Sequence, residues 1–283
     1  TLREPYEAVD EIDKENCRVV YQGVPGAYSY IAMKRFFGKD VNNFAVPTWR
    51  DAMEAVKKGE ADYAVLPIEN STTGSVADVY DLIQEYDNYI IAETFVKVEH
   101  ALLGLEGTDI DKVTTVYSHP QGFMQCEKFL SGHKDWQQIS QANTAGRAKK
   151  VLVENDRSHV AIASEEAAEV YNLTVLKSKI NDLDNNTTRF VIVTNTRKFV
   201  KNARKMSIVF ETTNETGTLY NLLSHIIYNG LNMNKIESRP IEGRQWEYRF
   251  FIDFEGNIDD PAVMNALRGI EEEAQAIKLL GNY

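Results

Sequence analysis

Strand-like runs alternate with helical patterns from Cys17 to about residue 197, and this alternation restricts the possible folds more than any other feature. Valine, isoleucine and aromatic residues fill the strand-like runs, and amphipathic segments separate them. Such an order favours a mainly parallel sheet in an α/β fold. The predicted strands begin at or near Cys17, Asn43, Asp62, Tyr89, Val113, Trp136, His159, Leu173 and Arg189.

Signals for helix starts lie between these strands. Thr48 precedes Asp51 by three residues, and Ser75 precedes Asp78 by the same spacing. This spacing is typical of a capping box, in which each side chain satisfies a free backbone N–H of the other residue. Pro120 follows a strand and suits the first turn of a helix, where its missing N–H costs nothing.

The composition of the chain changes near residue 200, where a basic and hydrophilic stretch predicts a linker. Beyond it, residues 205–283 follow the order β-α-β-β-α-β, which predicts a separate domain with the ferredoxin-like arrangement. Residues 1–16 are acidic and weakly patterned, so we expect a linker or a disordered segment there.

The composition limits the classes of partner. A net charge of −11 over 283 residues, without a basic block, argues against binding to nucleic acid or to a membrane surface. No apolar run has the length of a membrane span. The two cysteines form no C-x-x-C pair, which favours the reducing cytoplasm, and the five histidines lack the spacing of metal ligands. We expect neither a metal nor a cofactor.

Several polar turns lead from a predicted strand into a predicted helix. They are Gln22-GVPGAYS, the stretch from Glu69 to Ser75, Ser118-HPQG and Ala142-NTAG. One such turn alone would be a capped turn and nothing more. Because helix N-termini at the carboxyl ends of strands attract anions, their repetition favours a cleft that binds a small dianion.

The stretch Asn185-NTTRFVIVT places a positive charge at the entrance of a buried strand. A turn explains the asparagines but not Arg189, since a guanidinium in this position usually meets an anion. Glu69 allows three interpretations. It could face a cation, cap a helix, or act as an acid with a pKa raised by burial.

These motifs together resemble those of prephenate dehydratases. Tyr21-QGVPGAYS, PIENS from Pro67, Ser118-HPQ and Thr188-RF occur in the order found in that family. The C-terminal stretches Asn214-ETGTLY and Ile236-ESRP resemble the ACT regulatory domain that accompanies it. The resemblance extends over roughly residues 18–283.

The resemblance implies a two-lobed catalytic domain over residues 17–197, similar to type II periplasmic binding proteins, followed by an ACT domain over residues 205–283. The first lobe would comprise about 17–95 and 188–197, and the second about 98–180. The implied reaction is the decarboxylative dehydration of prephenate to phenylpyruvate in phenylalanine biosynthesis. L-Phenylalanine would bind the ACT domain and inhibit a cytoplasmic homodimer or homotetramer.

The resemblance also implies functional residues. Thr188 would be the main catalytic residue, donating a hydrogen bond or a proton to the departing hydroxyl, with water or Glu69 restoring that proton. The expected substrate-binding residues are Arg189, Phe190, Asn70, Ser71, Gln121 and Thr144. The expected effector-binding residues are Asn214, Gly217, Thr218, Leu219, Asn232, Glu237 and Ser238.

Three alternatives remain open from the sequence. Arogenate dehydratases perform the same elimination on the transaminated substrate and share these motifs. A non-enzymatic amino-acid sensor would also combine a two-lobed fold with an ACT domain. Finally, residues 1–16 could be the end of a connection to a preceding chorismate mutase domain.

Overall fold

The computed structural model describes residue 2, residues 4–141 and residues 144–283, apart from the side chains of 144 and 145. No helix in this part of the chain has the length and apolar character needed to cross a membrane. The strands are β1 (Glu7–Val9), β2 (Arg18–Gln22), β3 (Asn42–Val46), β4 (Tyr63–Asn70), β5 (Gly74–Ser75), β6 (Tyr89–Lys97), β7 (Ala101–Gly104), β8 (Thr115–Ser118), β9 (Gln137–Ser140), β10 (His159–Ala163), β11 (Thr174–Lys177), β12 (Thr187–Thr194), β13 (Lys198–Val200), β14 (Lys205–Thr212), β15 (Met233–Pro240), β16 (Tyr248–Glu255) and β17 (Ala276–Asn282). The helices are α1 (Tyr28–Phe37), α2 (Trp49–Lys57), α3 (Ala77–Glu85), α4 (Pro120–Gln125), α5 (Glu127–Ser131), α6 (Thr144–Glu154), α7 (Glu165–Tyr171), α8 (Thr218–Tyr228) and α9 (Pro261–Glu273).

Two large sheets organise the chain. A ten-stranded sheet has the order β15-β16-β14-β17-β6-β12-β4-β2-β3, with β5 paired to β4, and a five-stranded sheet has the order β11-β7-β10-β8-β9. We call β2–β6 and β12 with α1–α3 the first lobe. The five-stranded sheet with α4–α7 is the second lobe, and residues 205–283 are the C-terminal domain.

The first lobe is a mixed sheet, which corrects the expectation of a mainly parallel one. β2 runs parallel to β3 and β4, but β12 runs antiparallel to both of its neighbours, β4 and β6. The reason lies in the path of the chain. After the second lobe the chain returns as β12 and fills the gap between β4 and β6, travelling in the opposite direction to both.

β12 is buried on both of its faces, as predicted for the run from Phe190 to Val193. Each of these four residues is at most 2% exposed. Phe190 and Ile192 pack on the side of α1, while Val191 and Val193 pack against the cluster that contains α2 and α3. Full burial of such a side chain stabilises a fold by roughly 1.5–3 kcal/mol, so this strand is firmly held.

The C-terminal domain has the predicted order β14-α8-β15-β16-α9-β17. One face of its sheet packs on its own two helices. Ile208, Phe210 and Phe254 from the strands meet Leu222 from α8 and Leu267 from α9 in a single core. Alternate residues on the strands point the other way, because successive side chains of a strand lie on opposite faces.

The opposite face of the C-terminal sheet packs on the first lobe. Val209 and Phe251 belong to the same core cluster as Val191 of β12. The rings of Phe251 and Tyr80 meet edge to face with centroids 5.0 Å apart. The inner strands of the C-terminal sheet, β14 and β16, are therefore enclosed between its own helices and the first lobe.

Residues 7–9 of the N-terminal segment form a strand, where we expected a linker or a disordered tail. β1 pairs in parallel with β13, which lies in the stretch predicted as a linker. Tyr6 packs against the core of the C-terminal domain and donates a hydrogen bond to the carbonyl oxygen of Leu279 at 3.1 Å. The paired strands are far apart in the chain, so no local pattern of residues indicates the pairing.

One predicted helix cap is present and one is not. Thr48 and Asp51 form the complete capping box of α2. α3 instead begins after Val76 without a side-chain cap, and the Ser75 hydroxyl donates to Glu237 Oε2 of the C-terminal domain at 2.6 Å. A distant carboxylate has thus replaced the local partner, Asp78.

Candidate active site

A cavity of about 360 Å3 lies between the two lobes, a volume typical of small-molecule sites. Two depressions of about 900 and 730 Å3 lie elsewhere, but none of the described residues of the predicted substrate site lines them. The first lobe and the connection to the second contribute Gln22, Gly23, Val24, Ala27, Tyr28, Ser29, Trp49, Pro67, Asn70, Val98, His100, Thr188 and Phe190 to the cavity. The second lobe contributes His119, Gln121, Gly122, Gln125 and Arg147.

Asn70 fixes the hydroxyl of Thr188 in this cavity. Its side-chain oxygen accepts hydrogen bonds from the backbone N–H groups of Thr72 at 2.9 Å and Thr73 at 3.1 Å. Because N–H groups only donate, the amide orientation is determined, and the NH₂ group must face the other way. It donates to Thr188 Oγ1 at 3.0 Å and to Asn186 Oδ1 at 2.7 Å.

This arrangement leaves the Thr188 hydroxyl as a donor towards the cavity. A hydroxyl has one proton and two acceptor positions, and Asn70 occupies one of the acceptor positions. No described residue accepts the proton. A hydrogen bond received by an oxygen also strengthens the bond that its own O–H donates. The pair can therefore stabilise negative charge that develops on an oxygen in the cavity.

Ser71 holds the entrance of β12 and does not line the cavity. Its hydroxyl donates to the carbonyl oxygen of Asn185 at 3.0 Å and accepts from the backbone N–H of Thr187 at 2.9 Å. A backbone bond from Ser71 N to Thr187 O, at 2.9 Å, adds to this contact. Ser71 therefore positions the residue before Thr188, which differs from the substrate contact expected of it.

Arg189 lies on the opposite face of β12 from Thr188, because neighbouring residues of a strand alternate. Its guanidinium is 9% exposed and donates from Nη2 to Asp253 Oδ2 at 2.9 Å and from Nη1 to Glu93 Oε2 at 3.3 Å. Asp253 belongs to the C-terminal domain. The expectation that Arg189 holds a substrate carboxylate conflicts with this placement, and its charge has internal partners.

Glu69 faces the same side as Arg189, with which it is paired in register. Its Oε1 lies 2.8 Å from Lys235 Nζ, and its Oε2 lies 3.7 Å from Arg189 Nε. Of the three interpretations of Glu69, the structure has the first, a carboxylate facing cations. Its position behind the sheet also conflicts with a direct role in proton supply.

Among the other predicted substrate residues, Phe190 and Gln121 line the cavity. Gln121 lies in the first turn of α4, where its backbone N–H donates to His119 Nδ1 at 3.2 Å. His119 is the N-cap residue of that helix, and burial is the main cause that lowers its pKa. Thr144 begins α6, but its side chain lies outside the described residues.

A polar group that no motif in the sequence indicates connects the lobes across the cavity. Tyr28 of α1 donates to the carbonyl oxygen of Glu99 at 2.9 Å and lies 3.1 Å from His100 Nδ1. His100 Nε2 lies 2.6 Å from Gln125 Oε1. His100 stands where the chain first crosses between lobes, and that position was the one available signal for its role.

A buried arginine in the second lobe was also missed. Arg147 is 8% exposed, and its Nη1 donates to the carbonyl oxygen of Ile162 at 3.4 Å. Burial lowers its pKa to about 10, while Tyr28 opposes that effect. The helical pattern around it in the sequence gave no indication that it faces a cavity.

The structure distributes the predicted effector residues over two places. Gly217, with φ of +84°, is the N-cap residue of α8, followed by Thr218 and Leu219, and Asn214 is exposed just before them. On β15, Glu237 faces the first lobe through Ser75, while Ser238 lies on the opposite face and is exposed. The Asn232 amide donates to Glu255 Oε1 at 2.9 Å.

Comparison with known proteins relates this arrangement to one family. The family model described as prephenate dehydratase matches residues 19–198. A bifunctional chorismate mutase/prephenate dehydratase from Enterobacter agglomerans is 33% identical over 273 residues, 94% of this chain and 70% of the relative. An arogenate dehydratase/prephenate dehydratase from Arabidopsis thaliana is 37% identical, over 94% of this chain and 72% of the relative.

A solved structure of a prephenate dehydratase is similar over nearly the whole chain. The prephenate dehydratase from Arthrobacter aurescens, crystallised with L-Phe, superposes with a TM-score of 0.86 at 27% identity. The superposition covers 94% of this chain and 89% of that one. Because the family model spans more than half of the chain, with relatives above 30% identity over most of both lengths, the chain belongs to the prephenate dehydratase family.

Proposed function

We propose that the chain is a prephenate dehydratase that converts prephenate to phenylpyruvate with loss of water and carbon dioxide. Membership of the family supports the reaction. The observation that carries the assignment to a site is the Asn70–Thr188 pair, in which the Thr188 hydroxyl is held as a donor in a cavity between two lobes.

Elimination requires a donor at the departing hydroxyl. Prephenate becomes aromatic as it loses its ring carboxylate and its ring hydroxyl, so the reaction has a strong driving force. The barrier lies in the departure of hydroxide, which a hydrogen-bond donor or acid lowers. Thr188 supplies this hydrogen bond, and the proton that completes the water comes from solvent in the cavity. Glu69 has no part in this mechanism.

The other residues of the site position Thr188 or form the wall of the cavity. Asn70 orients Thr188, Ser71 and Asn186 hold the turn before it, and Phe190 and Gln121 complete the cavity wall. Closure of the lobes would exclude water and strengthen these contacts. The catalytic domain comprises both lobes, and the first lobe is completed by β12 after the chain has built the second.

We assign the C-terminal domain to regulation by L-phenylalanine. The related Arthrobacter aurescens structure contains L-Phe, and the order of elements is the ferredoxin-like one that the resemblance to ACT domains predicts. The N-terminus of α8, with Gly217, Thr218 and Leu219, offers backbone N–H groups for the effector carboxylate. Asn214, Asn232 and the edge of β15 complete the proposed effector region.

A homodimer or homotetramer is supported by exposed apolar side chains on the C-terminal domain. Tyr220, Ile227 and Tyr228 on α8 are 65%, 56% and 79% exposed, and Ile236 on β15 is 46% exposed. β15 is also an edge strand, with unpaired backbone groups. A second copy would cover these groups. The two cysteines are free and buried, which suits the cytoplasm.

One assay tests the function and its regulation together. Purified protein is supplied with prephenate, and phenylpyruvate formation is followed with and without L-phenylalanine. We expect turnover that L-phenylalanine inhibits. Failure to release phenylpyruvate would leave the amino-acid sensor as the better interpretation. The same assay with arogenate, followed by phenylalanine formation, decides between the two dehydratase activities.

A further inference from the structure

We propose that Arg147 binds the side-chain carboxylate of the substrate and that this contact selects a 2-oxo acid over the corresponding 2-amino acid. The inference rests on the proposed function, since it names the substrate group that this cavity recognises. It also gives the cavity the cation that the sequence analysis had assigned to Arg189.

The charge of the cavity wall is the first observation. Of the described residues that line it, Arg147 is the one that carries a permanent charge, and none is an aspartate or a glutamate. The wall is therefore positive overall, although the whole protein has a net charge of −11. The Arg147 guanidinium therefore attracts a small dianion to this cavity, although the net negative charge of the protein repels it.

The setting of that charge is the second observation. Arg147 lies on α6 and is 8% exposed, and its contact with the Ile162 carbonyl oxygen ties the guanidinium to β10. A pKa of about 10 leaves it protonated at neutral pH. Opposite charges attract more strongly in such a setting than at the surface, because the effective dielectric constant is lower.

The two histidines of the cavity wall are the other groups there that could carry a positive charge. His100 and His119 line the same space, and the pKa of each is lowered, chiefly by burial and further by Arg147. Both imidazoles are therefore neutral at pH 7. A substrate carboxylate then has Arg147 as its cationic partner in the described wall.

The chemistry of the reaction decides which of the two carboxylates this is. The ring carboxylate leaves as carbon dioxide and loses its negative charge on the way. A cation beside it would stabilise the substrate more than the transition state and would slow the reaction. The carboxylate of the pyruvyl side chain keeps its charge throughout, so it is the group that a guanidinium can hold without that penalty.

Specificity follows from the position of that carboxylate. In prephenate the adjacent carbon bears a ketone oxygen, whereas in arogenate it bears an ammonium group. A guanidinium that contacts the carboxylate would lie close to this ammonium, and like charges repel. Arg147 therefore favours prephenate. Substitution by a neutral residue should remove part of the discrimination.

The test uses three variants in the full chain. Arg147→Met removes the charge and keeps much of the volume, and Arg147→Lys keeps the charge without the planar fork. Lys149→Met is the matched control, because Lys149 is exposed on the same helix and the change in charge is identical. Circular dichroism and thermal unfolding establish that each variant is folded.

Two constants are measured: KM for prephenate and the inhibition constant of phenylpyruvate. Phenylpyruvate is chosen because, of the two carboxylates of prephenate, it retains only the one on the side chain. Arg147→Met should raise both by about 100-fold while kcat falls by less than about tenfold, roughly 2.7 against 1.4 kcal/mol. Arg147→Lys should raise both by a smaller factor, and Lys149→Met should leave both within twofold. The ratio of kcat/KM for prephenate to that for arogenate should fall in Arg147→Met.

The outcomes separate the alternatives. Unchanged constants in folded Arg147→Met would overturn the proposal. A raised KM with an unchanged phenylpyruvate constant would place Arg147 at the ring carboxylate and overturn the assignment as well. If Arg147→Met does not fold, the test rests on Arg147→Lys. Unchanged KM and inhibition constants in that variant would overturn the proposal. Wild-type protein that forms no phenylpyruvate would contradict the proposed function instead, and calorimetric binding of phenylpyruvate would still test Arg147.

Discussion

Thr188 and Arg189 are neighbours in the chain and face opposite sides of β12. The Thr188 hydroxyl accepts a hydrogen bond from Asn70 at 3.0 Å within the cavity between the lobes. The Arg189 guanidinium donates to Asp253 of the C-terminal domain at 2.9 Å. One strand thus carries the proposed catalytic group on one face and a contact with the proposed regulatory domain on the other.

Thr188→Ala should lower kcat by about 10²–10⁴-fold, because the departing hydroxyl loses its donor. KM for prephenate should change by less than about tenfold. Steady-state formation of phenylpyruvate measures both. Thr188→Ser keeps the hydroxyl and should retain much of the activity, and Thr187→Ala, one residue earlier, is the control. Turnover near the wild-type value in Thr188→Ala would remove Thr188 from the mechanism.

Asn70→Asp should be nearly as damaging as Thr188→Ala, although it keeps the shape of the side chain. A carboxylate oxygen would face Thr188 Oγ1 in place of the NH₂ group and would accept its proton, so the hydroxyl could no longer donate into the cavity. The measurement is kcat in a double-mutant cycle with Thr188→Ala. Residues that act as a unit are not additive, so the double variant should be little worse than either single one. Full additivity would mean that Asn70 acts independently of Thr188.

Arg189→Met should destabilise the fold by about 3–5 kcal/mol, because it leaves the buried Asp253 carboxylate without its cationic partner. Urea unfolding measures this. Adding Asp253→Asn should recover part of the loss, which identifies the pair as its source. Arg50→Met, which breaks the exposed pair with Glu85, should change stability little. A folded Arg189→Met with KM raised as far as in Arg147→Met would restore the original assignment of Arg189.

Asp81→Asn should weaken inhibition by L-phenylalanine without changing turnover in its absence. Arg239 on β15 makes a two-pronged contact with Asp81 on α3, with Nε to Oδ1 at 3.1 Å and Nη2 to Oδ2 at 2.6 Å. An effector on the C-terminal domain acts only by favouring one set of contacts with the catalytic lobes over another. Loss of a contributing contact typically changes coupling by about 0.5–2 kcal/mol, so we expect a rise of about twofold or more in the inhibitory concentration. The control is Glu60→Gln, which neutralises an exposed carboxylate elsewhere on the first lobe. If Asp81→Asn and Glu60→Gln give equal inhibition curves, the contact between Arg239 and Asp81 has no part in regulation.

The sequence predicts the site best where its residues are close to one another along the chain or carry a family motif. Asn70 and Thr188 belong to two such motifs and meet in adjacent strands. Placing Thr188 and Arg189 in one site conflicts with strand alternation, and alternation alone does not tell which of the two faces the cavity. That depends on the positions of the second lobe and the C-terminal domain. The same dependence hid Arg147, and it gave Ser75 a partner 162 residues away.

His100 should make stability depend on pH below about 6.5, the ordinary pKa of a histidine. Burial lowers its pKa in the folded protein, the bond with Gln125 opposes this, and Arg147 lowers it further. Below pH 6.5 the unfolded chain therefore binds a proton that the folded protein does not, until the pH reaches the lower folded value. The free energy of unfolding should fall with pH in this window, by at most about 1.4 kcal/mol per pH unit for one proton.

His100→Gln should flatten this dependence, because glutamine does not titrate and still offers hydrogen bonds to Tyr28 and Gln125. Urea unfolding at pH 5 and pH 7 measures the change for wild type and variant, and the difference between them removes the contribution of the carboxylates. His133→Gln is the control, since that ring stacks on Trp136 away from the cavity, at a centroid distance of 4.1 Å. If His100→Gln keeps the full wild-type dependence, protonation of His100 does not contribute to the loss of stability in acid.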